Sequence, residues 1–269
     1  MADNGKIQDL VDAVRHNARY KSISEDLIRR VGLQELQKRA NFKEAVKATR
    51  SKLHQVGGAY QESRMPYEDW QAQLAALPHD ARDLAVREFS SRVMQKHAST
   101  RERFPIREEF FLRTLSSICP VHSVLDLACG LNPLALSWMP LAEDVVYYAC
   151  DIYENMVSFV GNYLDHCGIE NHVSACDLTF DCPKQEVQVA FLLKTIPCLE
   201  QMDKNIGPRL LDEINAEHLL ISFPTHSLHG KNKGMVKHYR NHFEELVAGR
   251  GWQVRSYQYD EELAFLVSR

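Results

Sequence analysis

The 269-residue chain lacks the features that mark membrane, secreted and disulfide-bonded proteins. No apolar run approaches the roughly eighteen residues that a membrane-spanning helix needs. The first twenty residues mix acids with bases and have no apolar core, which argues against a secretory signal. The seven cysteines are an odd number, and no two of them have C-x-x-C spacing. These absences predict a soluble, cytoplasmic protein whose cysteines are reduced, small apolar side chains.

Motifs for metals and dinucleotides are also missing. His238 and His242 are four residues apart on a predicted helix, but the Glu of H-E-x-x-H is absent and no cysteine cluster lies nearby in sequence. We therefore expect no metal site. The chain has no G-x-G-x-x-G motif, no internal repeat and no low-complexity tract. A dinucleotide cofactor is thus disfavoured.

The segment 123–139, SVLDLACGLNPLALSWM, has the pattern of a strand, a tight turn and a helix start. Its apolar run carries one acid, Asp126, and ends at Gly130, where the backbone can turn tightly and a ligand can approach closely. Pro133 suits the first turn of a helix because its missing N–H would be unpaired there in any case. The segment predicts the first βα unit of an open α/β nucleotide-binding sheet.

Acids follow the next two predicted strands. Asp151 ends the strand 145–150, 21 residues after Gly130, where an acid can accept hydrogen bonds from ribose hydroxyls. Asp177 ends the strand 172–176 and suits an adenine amino group, with Leu178 against the base. Acids at these tips, without a phosphate-binding glycine cluster, favour S-adenosylmethionine. A single such acid is explained equally well as a helix cap, but acids at several strand tips favour a site.

The remaining pattern completes an α/β sheet behind a helical N-terminal part. Further strands are predicted at 187–193 and 218–224, with one helix between them at 197–213 and a closing hairpin at 253–257 and 263–267. Helical spacing dominates the first 56 residues, 61–80 reads as a polar connection, and 81–96 as another helix. We predict two domains, a helical one at 1–96 and a cofactor-binding one at 97–269.

Charge is distributed unevenly between these two parts. Residues 1–96 hold 17 Lys and Arg against 13 Asp and Glu, whereas the rest holds 15 against 23. The predicted helix 42–53 is notably basic. A basic domain attached to an acidic one suggests that the first binds a polyanion. A solvated helical surface of chance composition would give the same small excess, so charge alone does not decide.

Two further stretches are candidates for ligand contacts. Residues 97–103, HASTRER, crowd hydroxyls and guanidiniums, and Arg103 is suited to bind the methionine carboxylate of the cofactor bidentately. A capped helix with local ion pairs explains that composition equally well. Residues 225–235 form a basic, glycine-rich loop after the strand 218–224, at the sheet edge where such folds bind ligands. This loop is either a substrate contact or an ordinary surface loop.

Taken together, these stretches resemble the aminoglycoside-resistance methyltransferases of small-subunit ribosomal RNA, which methylate N7 of a guanine in the decoding site. The segments that carry the resemblance run in the family's order through nearly the whole chain: KLHQVGGAY at 52–60, HASTRER at 97–103, LDLACGLNPLA at 125–135, Asp151-Ile152, Asp177-Leu178, LLKTIPCLE at 192–200 and SFPTHSLHGKNKGM at 222–235.

The resemblance implies a Rossmann-like class I S-adenosylmethionine-dependent methyltransferase sheet with a small all-helical RNA-docking domain. The residues that it implies around the cofactor are Tyr60, His97, Ala98, Ser99, Thr100, Arg101, Glu102, Arg103, Ala128, Gly130, Asp151, Ile152, Asp177, Leu178, Leu193 and Gln201. For RNA contacts we expect Lys43, Lys47, Arg50, Lys52, Ser222, Lys231, Lys233 and Met235.

The chain departs from the family pattern in two places. The last hairpin carries Asp260-Glu261-Glu262-Leu263 where the family has Gly-Asn-Glu-Leu, which affects the expected shape of the substrate pocket. The family's glutamine after the LLKTIPCLE stretch corresponds to Gln201 or, in an alternative alignment, to Met202.

The expected function is S-adenosylmethionine-dependent methylation of guanine N7 in 16S rRNA of the assembled 30S subunit, giving aminoglycoside resistance. We expect the protein to be a monomer. It should need no general base, because N7 attacks through a free lone pair. Two alternatives stay open from the sequence: a methyltransferase acting on another RNA or a small molecule, and a ribosome-binding protein without catalysis. The intact set of Asp151, Asp177 and Arg103 argues against the second.

Overall fold

A seven-stranded sheet forms the centre of the fold in the computed structural model, which describes residues 2–58, 65–225 and 234–269. The strands lie in the order β3-β2-β1-β4-β5-β7-β6. Strands β1 to β5 are parallel to one another, and β7 runs antiparallel to both β5 and β6. The strands are β1 (Val121–Leu127), β2 (Leu141–Asp151), β3 (Glu170–Ala175), β4 (Val187–Leu193), β5 (Ala216–Pro224), β6 (Gln253–Gln258) and β7 (Glu262–Ser268).

The central strands are covered on both faces, as their nearly continuous apolar runs indicate. In β4 only Gln188 is not fully buried, and in β7 only Ser268. Two hydrophobic clusters lie on the opposite faces of the sheet; one includes Val124 and Phe191, the other Leu125 and Leu192. The predicted Rossmann-like sheet is therefore confirmed, with the closing antiparallel hairpin.

Helices surround this sheet and build the N-terminal part. Asn41 caps α3 by accepting hydrogen bonds from the backbone N–H of Lys43 (2.9 Å) and Glu44 (3.4 Å), so this helix has the predicted bounds. The helices are α1 (Ala2–Arg15), α2 (Glu25–Lys38), α3 (Phe42–Leu53), α4 (Tyr67–Leu74), α5 (Leu84–Met94), α6 (Ala98–Arg103), α7 (Arg107–Leu115), α8 (Glu154–His166), α9 (Thr195–Leu199), α10 (Ile206–Glu213) and α11 (Met235–Val247). A π-helical turn, His54–Gly58, follows α3.

The N-terminal helices pack directly on the sheet domain. The backbone N–H of Ser24 donates to Ile152 O (2.9 Å), and Glu154 N donates to Ser22 O (2.7 Å). Apolar residues of α1 and α2 belong to the same buried cluster as Val124 of β1. The chain before α2 is thus held against the carboxyl end of β2. The division into domains at residues 96 and 97 stays a prediction.

Three local predictions were wrong. The stretch predicted as a polar connection contains α4, because Tyr67 and Trp70 pack against Phe159 of α8 (ring centroids 5.6 and 5.7 Å apart). The helix predicted after β4 is two helices, α9 and α10. The segment after Gly130 is a 3₁₀ helix, Asn132–Trp138, and not an α-helix. No helix of the described residues is long and apolar enough to cross a bilayer.

Candidate cofactor-binding site

A cavity opens at the carboxyl ends of β1 to β4, where open α/β sheets bind their ligands. Helix α2, the π-helical turn, and the segments that follow these four strands supply its walls. Eight residues expected around a cofactor line it: His97, Ser99, Ala128, Asp151, Ile152, Asp177, Leu178 and Leu193. Met202, the alternative to Gln201, also lines it. The remaining lining residues were not predicted: Leu27, Val56, Gly57, Tyr153, Cys176, Thr179, Lys194, Thr195, Cys198 and Leu199.

Asp151 is fixed by the turn that follows β1. Its Oδ2 accepts a hydrogen bond from the backbone N–H of Gly130 (3.0 Å), and its Oδ1 from that of Ile152 (2.6 Å). Burial raises the pKa of Asp151, although these backbone donors act in the opposite direction. The carboxylate is therefore oriented by backbone groups alone, at the tip of β2 and facing the cavity.

Asp177 is fixed by an arginine of the helical N-terminal part. Its carboxylate pairs with the guanidinium of Arg30 on α2, and its Oδ1 accepts from Thr179 N (3.0 Å) and Thr179 Oγ1 (2.7 Å). Arg30 also donates to Thr179 Oγ1 (2.7 Å). Burial lowers the pKa of Arg30, as does the charge of Arg209. An arginine of the helical part thus sets the position of an acid in the cavity wall, which no sequence motif indicated.

The ring of His97 packs against the backbone of Gly130 at the edge of the cavity. Gly130 has φ +53°, and a Cβ on it would lie 2.8 Å from His97 Cε1. His97 Nδ1 lies 3.0 Å from Ser99 Oγ. Burial, together with Arg101, Arg103 and Lys194, lowers the pKa of His97 to about 4. The ring is neutral at physiological pH, and only glycine allows it to lie on the turn.

Arg103 lies behind the cavity wall and does not line it. Its Nη2 donates to Glu262 Oε1 (2.7 Å), its Nε to Glu262 Oε2 (3.0 Å) and its Nη1 to Asn132 Oδ1 (2.9 Å). Arg103 is 1% exposed and Glu262 is fully buried. Of the three residues Asp151, Asp177 and Arg103, only the two acids therefore line the cavity. A grip of Arg103 on the methionine carboxylate stays a prediction.

Lys194 connects this buried pair to the cavity. Its Nζ lies 2.6 Å from Glu102 Oε2 and 3.6 Å from Glu262 Oε2, and the residue lines the cavity. Its backbone is left-handed (φ +63°), a conformation that costs energy for a residue with a Cβ. The signal available in the sequence was its place directly after β4, because Asp151 and Asp177 also lie at the carboxyl ends of their strands, β2 and β3.

A second buried carboxyl continues the network under β1. Asp126 Oδ2 accepts from Asn132 Nδ2 (2.7 Å) and from the Tyr147 hydroxyl (2.9 Å). Burial raises the pKa of Asp126 to about 7, against the opposing effect of these hydrogen bonds and of Arg103. Asn132 thereby links Asp126 to Arg103. The acid of the first predicted strand supports the site from below.

The other expected cofactor contacts among the described residues are not in the cavity lining. Gln201 is exposed, whereas Met202 lines the cavity, so the alternative alignment fits the structure and the choice of Gln201 is corrected. Thr100 is buried and donates to Met94 O (2.5 Å), Ala98 is buried, Arg101 is exposed, and Glu102 binds Lys194. Gly130 acts through Asp151 and His97. Tyr60 lies outside the described residues.

The expected RNA contacts divide into accessible and internal residues. Lys43, Lys47 and Arg50 line a concavity between α1 and α3. Lys52 pairs with the buried Glu35 (2.9 Å), which gives it a structural partner within the domain. Ser222 is fully buried and accepts from Lys194 N (3.1 Å), so its expected contact with RNA is corrected to an internal one. Met235 begins α11 and is partly buried. Lys231 and Lys233 lie outside the described residues.

Comparison with known proteins places this geometry in one family. Residues 16–266 match the family described as Ribosomal RNA methyltransferase (FmrO). The 16S rRNA (guanine(1405)-N(7))-methyltransferase of Micromonospora rosea is 32% identical over 266 residues, which cover 98% of this chain and 97% of the relative. The protein of the same name from Frankia casuarinae is 35% identical over 272 residues, which cover 98% and 96%.

A solved structure has the same fold and a related sequence. The 16S rRNA methyltransferase RmtF, in complex with S-adenosyl-L-homocysteine, superposes with a TM-score of 0.81 at 31% identity, over 98% of each chain. The agreement extends over the helical N-terminal part as well as the sheet.

Proposed function

The chain belongs to the ribosomal RNA methyltransferase family described as FmrO, and on this basis we propose that it transfers a methyl group from S-adenosylmethionine to N7 of a guanine in 16S rRNA. The observation that carries the proposal is the cavity at the carboxyl edge of the sheet, where Asp151 and Asp177 lie at the tips of neighbouring strands. We further propose that the substrate is the assembled 30S subunit and that the product confers resistance to aminoglycosides.

The lining of the cavity fits S-adenosylmethionine. Asp151 is placed to accept from the ribose hydroxyls and Asp177 from the adenine amino group, with Leu178 against the base. Lys194, whose ammonium pairs with Glu102 (2.6 Å), lines the same cavity as His97 and Ser99, and its charge suits the carboxylate of the amino-acid end. When bound, the cofactor supplies an electrophilic methyl group on a sulfonium.

The reaction requires the protein to position the two reactants, and it requires no proton transfer. Guanine N7 has an in-plane lone pair on the major-groove edge and attacks without losing a proton. Holding N7 in line with the methyl group raises its effective concentration and lowers the barrier by several kcal/mol. The neutral state of His97 is consistent with a packing role and not with that of an acid. Reaching N7 in folded RNA requires that the nucleotide be turned out of its helix.

We place the first RNA contact on the α3 concavity formed by Lys43, Lys47 and Arg50. Lys43 and Lys47 are exposed and have no carboxylate within 4.0 Å among the described residues. Arg50 donates to Ala13 O, which fixes its guanidinium between α1 and α3. Such a surface binds phosphates without reading bases, so binding should weaken steeply with salt.

The test is to map the methylated nucleotide. The protein is incubated with methyl-labelled S-adenosylmethionine and either 30S subunits or protein-free 16S rRNA, and the modified base is identified by mass spectrometry. We expect one 7-methylguanosine, formed on 30S subunits, and no transfer by Asp151→Asn. Asp144→Asn, at an exposed acid of β2, serves as the matched control. Raised drug resistance of cells expressing the protein tests the biological consequence.

Three outcomes would contradict the proposal. Methylation of another base or another RNA would give the protein a different substrate. Calorimetry that shows no binding of S-adenosylmethionine would make it a ribosome-binding protein without catalysis. Transfer to protein-free 16S rRNA as efficient as to 30S subunits would remove the assembled subunit from the proposal.

A further inference from the structure

A second groove, separate from the cofactor cavity, is lined by three arginines and a buried tryptophan. We define this arginine groove by the residues that line it: Leu84, Arg87, Glu88, Ser91, Arg92, Arg107 and Trp138. Helix α5 supplies one wall, the start of α7 another, and the end of the 3₁₀ segment Asn132–Trp138 the floor. None of these residues lines the cofactor cavity.

Two of the guanidiniums converge on one ring. The Cζ of Arg107 lies 4.5 Å and that of Arg87 5.2 Å from the centroid of Trp138, which is 3% exposed. Arg107 also lies 4.0 Å from the ring of Phe104 and donates to Phe104 O (2.6 Å). Cation–π contacts on a buried indole restrict the rotamers of both side chains, so their charges are held in place before any partner arrives.

The groove has little internal compensation for this charge. Within residues 2–58, 65–225 and 234–269, no carboxylate lies within 4.0 Å of the guanidiniums of Arg87, Arg92 or Arg107. Glu88 is the one acid in the lining, and Glu108 follows Arg107 on α7. Burial and, to a smaller extent, the charge of Arg87 lower the pKa of Arg107, whereas Glu108 acts in the opposite direction. Other arginines of the chain, such as Arg103 and Arg113, have a carboxylate partner.

From this arrangement we infer that the arginine groove is a second RNA-docking surface, which binds phosphates of the RNA backbone at a place separate from the α3 concavity. The inference rests on the proposed function, because it takes its partner from the proposed substrate. A guanidinium has five N–H donors, so those of Arg87 and Arg107 can contact the Trp138 ring and still offer N–H groups to a phosphate. An apolar peptide would leave the three cations without partners. The surface thus joins α5 of the helical part to α7 of the sheet domain as one footprint.

The test compares groove variants for the salt dependence of binding to 30S subunits. Arg87→Gln with Arg92→Gln removes two charges from α5, and Arg107→Gln removes the third. Arg255→Gln, at an exposed arginine of β6, is the matched control. We expect the KM for 30S subunits to rise about tenfold in the double variant, and the slope of log Kd against log salt to fall by about 0.7 to 0.9 for each lost phosphate contact. The kcat and the affinity for S-adenosylmethionine should stay at the wild-type value, as should all constants of the control.

Two readouts keep the inference separate from folding and from the proposed function. Circular dichroism identifies a variant that has lost its structure, and the exposed Arg92 provides a single variant, Arg92→Gln, that leaves the packing on Trp138 unchanged. If the wild-type protein does not methylate 30S subunits, the proposed function fails. If it does, and the groove variants keep the wild-type KM and salt slope, the inference alone is wrong.

A photocrosslink distinguishes RNA from a protein partner. Leu84 is 70% exposed at the rim of the groove, so a benzophenone amino acid can replace it without loss of buried packing. We expect irradiation of the complex with 30S subunits to join this position to 16S rRNA. Crosslinks to ribosomal proteins only would overturn the inference, because the groove would then bind an acidic protein surface.

Discussion

Arg103 and Glu262 are 159 residues apart in sequence and form a bidentate ion pair in the interior, with Nη2 and Oε1 2.7 Å apart. Arg103 belongs to α6, which borders the cofactor cavity, and Glu262 is the first residue of β7. The pair therefore fastens the segment 97–103 to the antiparallel edge of the sheet. Lys194, which lines the cavity, lies 3.6 Å from the same carboxylate. The position of the cavity wall thus depends on a residue of the last strand.

Removal of the charge of Glu262 should destabilise the fold strongly. Glu262→Gln leaves the buried Arg103 with neutral hydrogen-bond partners, whereas Lys194 keeps its ion pair with Glu102. Loss of one member of a buried pair costs about 3–5 kcal/mol. The free energy of unfolding, measured in urea, checks this value. Asp260→Asn, an exposed neighbour on the same hairpin, should change it by less than about 0.5 kcal/mol. Equal effects of the two variants would contradict a special role for the pair.

Titration of Asp126 should make the free energy of unfolding depend on pH. Burial raises the pKa of Asp126 in the folded protein to about 7, above the value of 3.8 expected in the unfolded chain. Between these values the folded protein holds a proton that the unfolded chain lacks, so the free energy of unfolding falls as pH rises through this window. Asp126→Asn removes this contribution. The difference between the wild-type and variant profiles should change by up to about 1.4 kcal/mol per pH unit between pH 4 and 7, and parallel profiles would contradict the assignment.

A side chain at Gly130 should damage the cofactor site beyond its backbone strain. Gly130→Ala places a methyl group 2.8 Å from the His97 ring, whereas Gly168→Ala meets no atom within 4 Å. Both glycines have positive φ, so each substitution should cost roughly 1–2 kcal/mol of stability. Only Gly130→Ala should also weaken binding of S-adenosylmethionine, by about tenfold or more in calorimetry. Unchanged affinity in that variant would show that His97 moves without consequence.

The ion pair between Arg30 and Asp177 should make cofactor affinity depend on the helical domain. Arg30→Gln leaves Asp177 held by Thr179 alone, so its carboxylate is less well fixed in the cavity wall. We expect S-adenosylmethionine to bind about three- to tenfold more weakly, equivalent to about 0.7–1.4 kcal/mol. Arg29→Gln is the matched control because Arg29 pairs with Glu25, away from the cavity. Equal affinities for the two variants would show that the ion pair between Arg30 and Asp177 does not contribute to cofactor binding.

Charge reversal on α3 should weaken binding to 30S subunits but spare the cofactor site. Lys43→Glu with Lys47→Glu turns two exposed cations of the α3 concavity into anions, which repel phosphates. We expect loss of methylation of 30S subunits at physiological salt, partly restored at high enzyme concentration, with unchanged affinity for S-adenosylmethionine. Arg255→Glu controls for a general change of net charge. Full activity of the double variant would remove α3 from the docking surface.

Local signals in the chain were enough for much of the fold. The apolar runs of β1, β4 and β5, and the glycine and proline around residue 130, have the spacing of a parallel α/β sheet. Helix α3 begins and ends at the predicted residues, 42 and 53. The helix at 67–74 was missed because its stability comes from Tyr67 and Trp70 on Phe159, a contact that lies about 90 residues away in sequence and leaves no local periodicity of its own.

Most of the site residues that the sequence predicted correctly lie at the carboxyl ends of strands. Asp151 ends β2, and Asp177 and Leu178 lie just beyond the end of β3. In a parallel sheet such positions meet at one edge. Sequence by itself therefore determined the class of fold, the edge that binds ligands and the acids that line it. Only the tertiary structure decided the partners of those groups: Arg30 for Asp177, Glu262 for Arg103 and Trp138 for two arginines. Ion pairs and ring contacts form between residues far apart in the chain, and no spacing rule encodes which distant side chains the packing brings within a few ångströms.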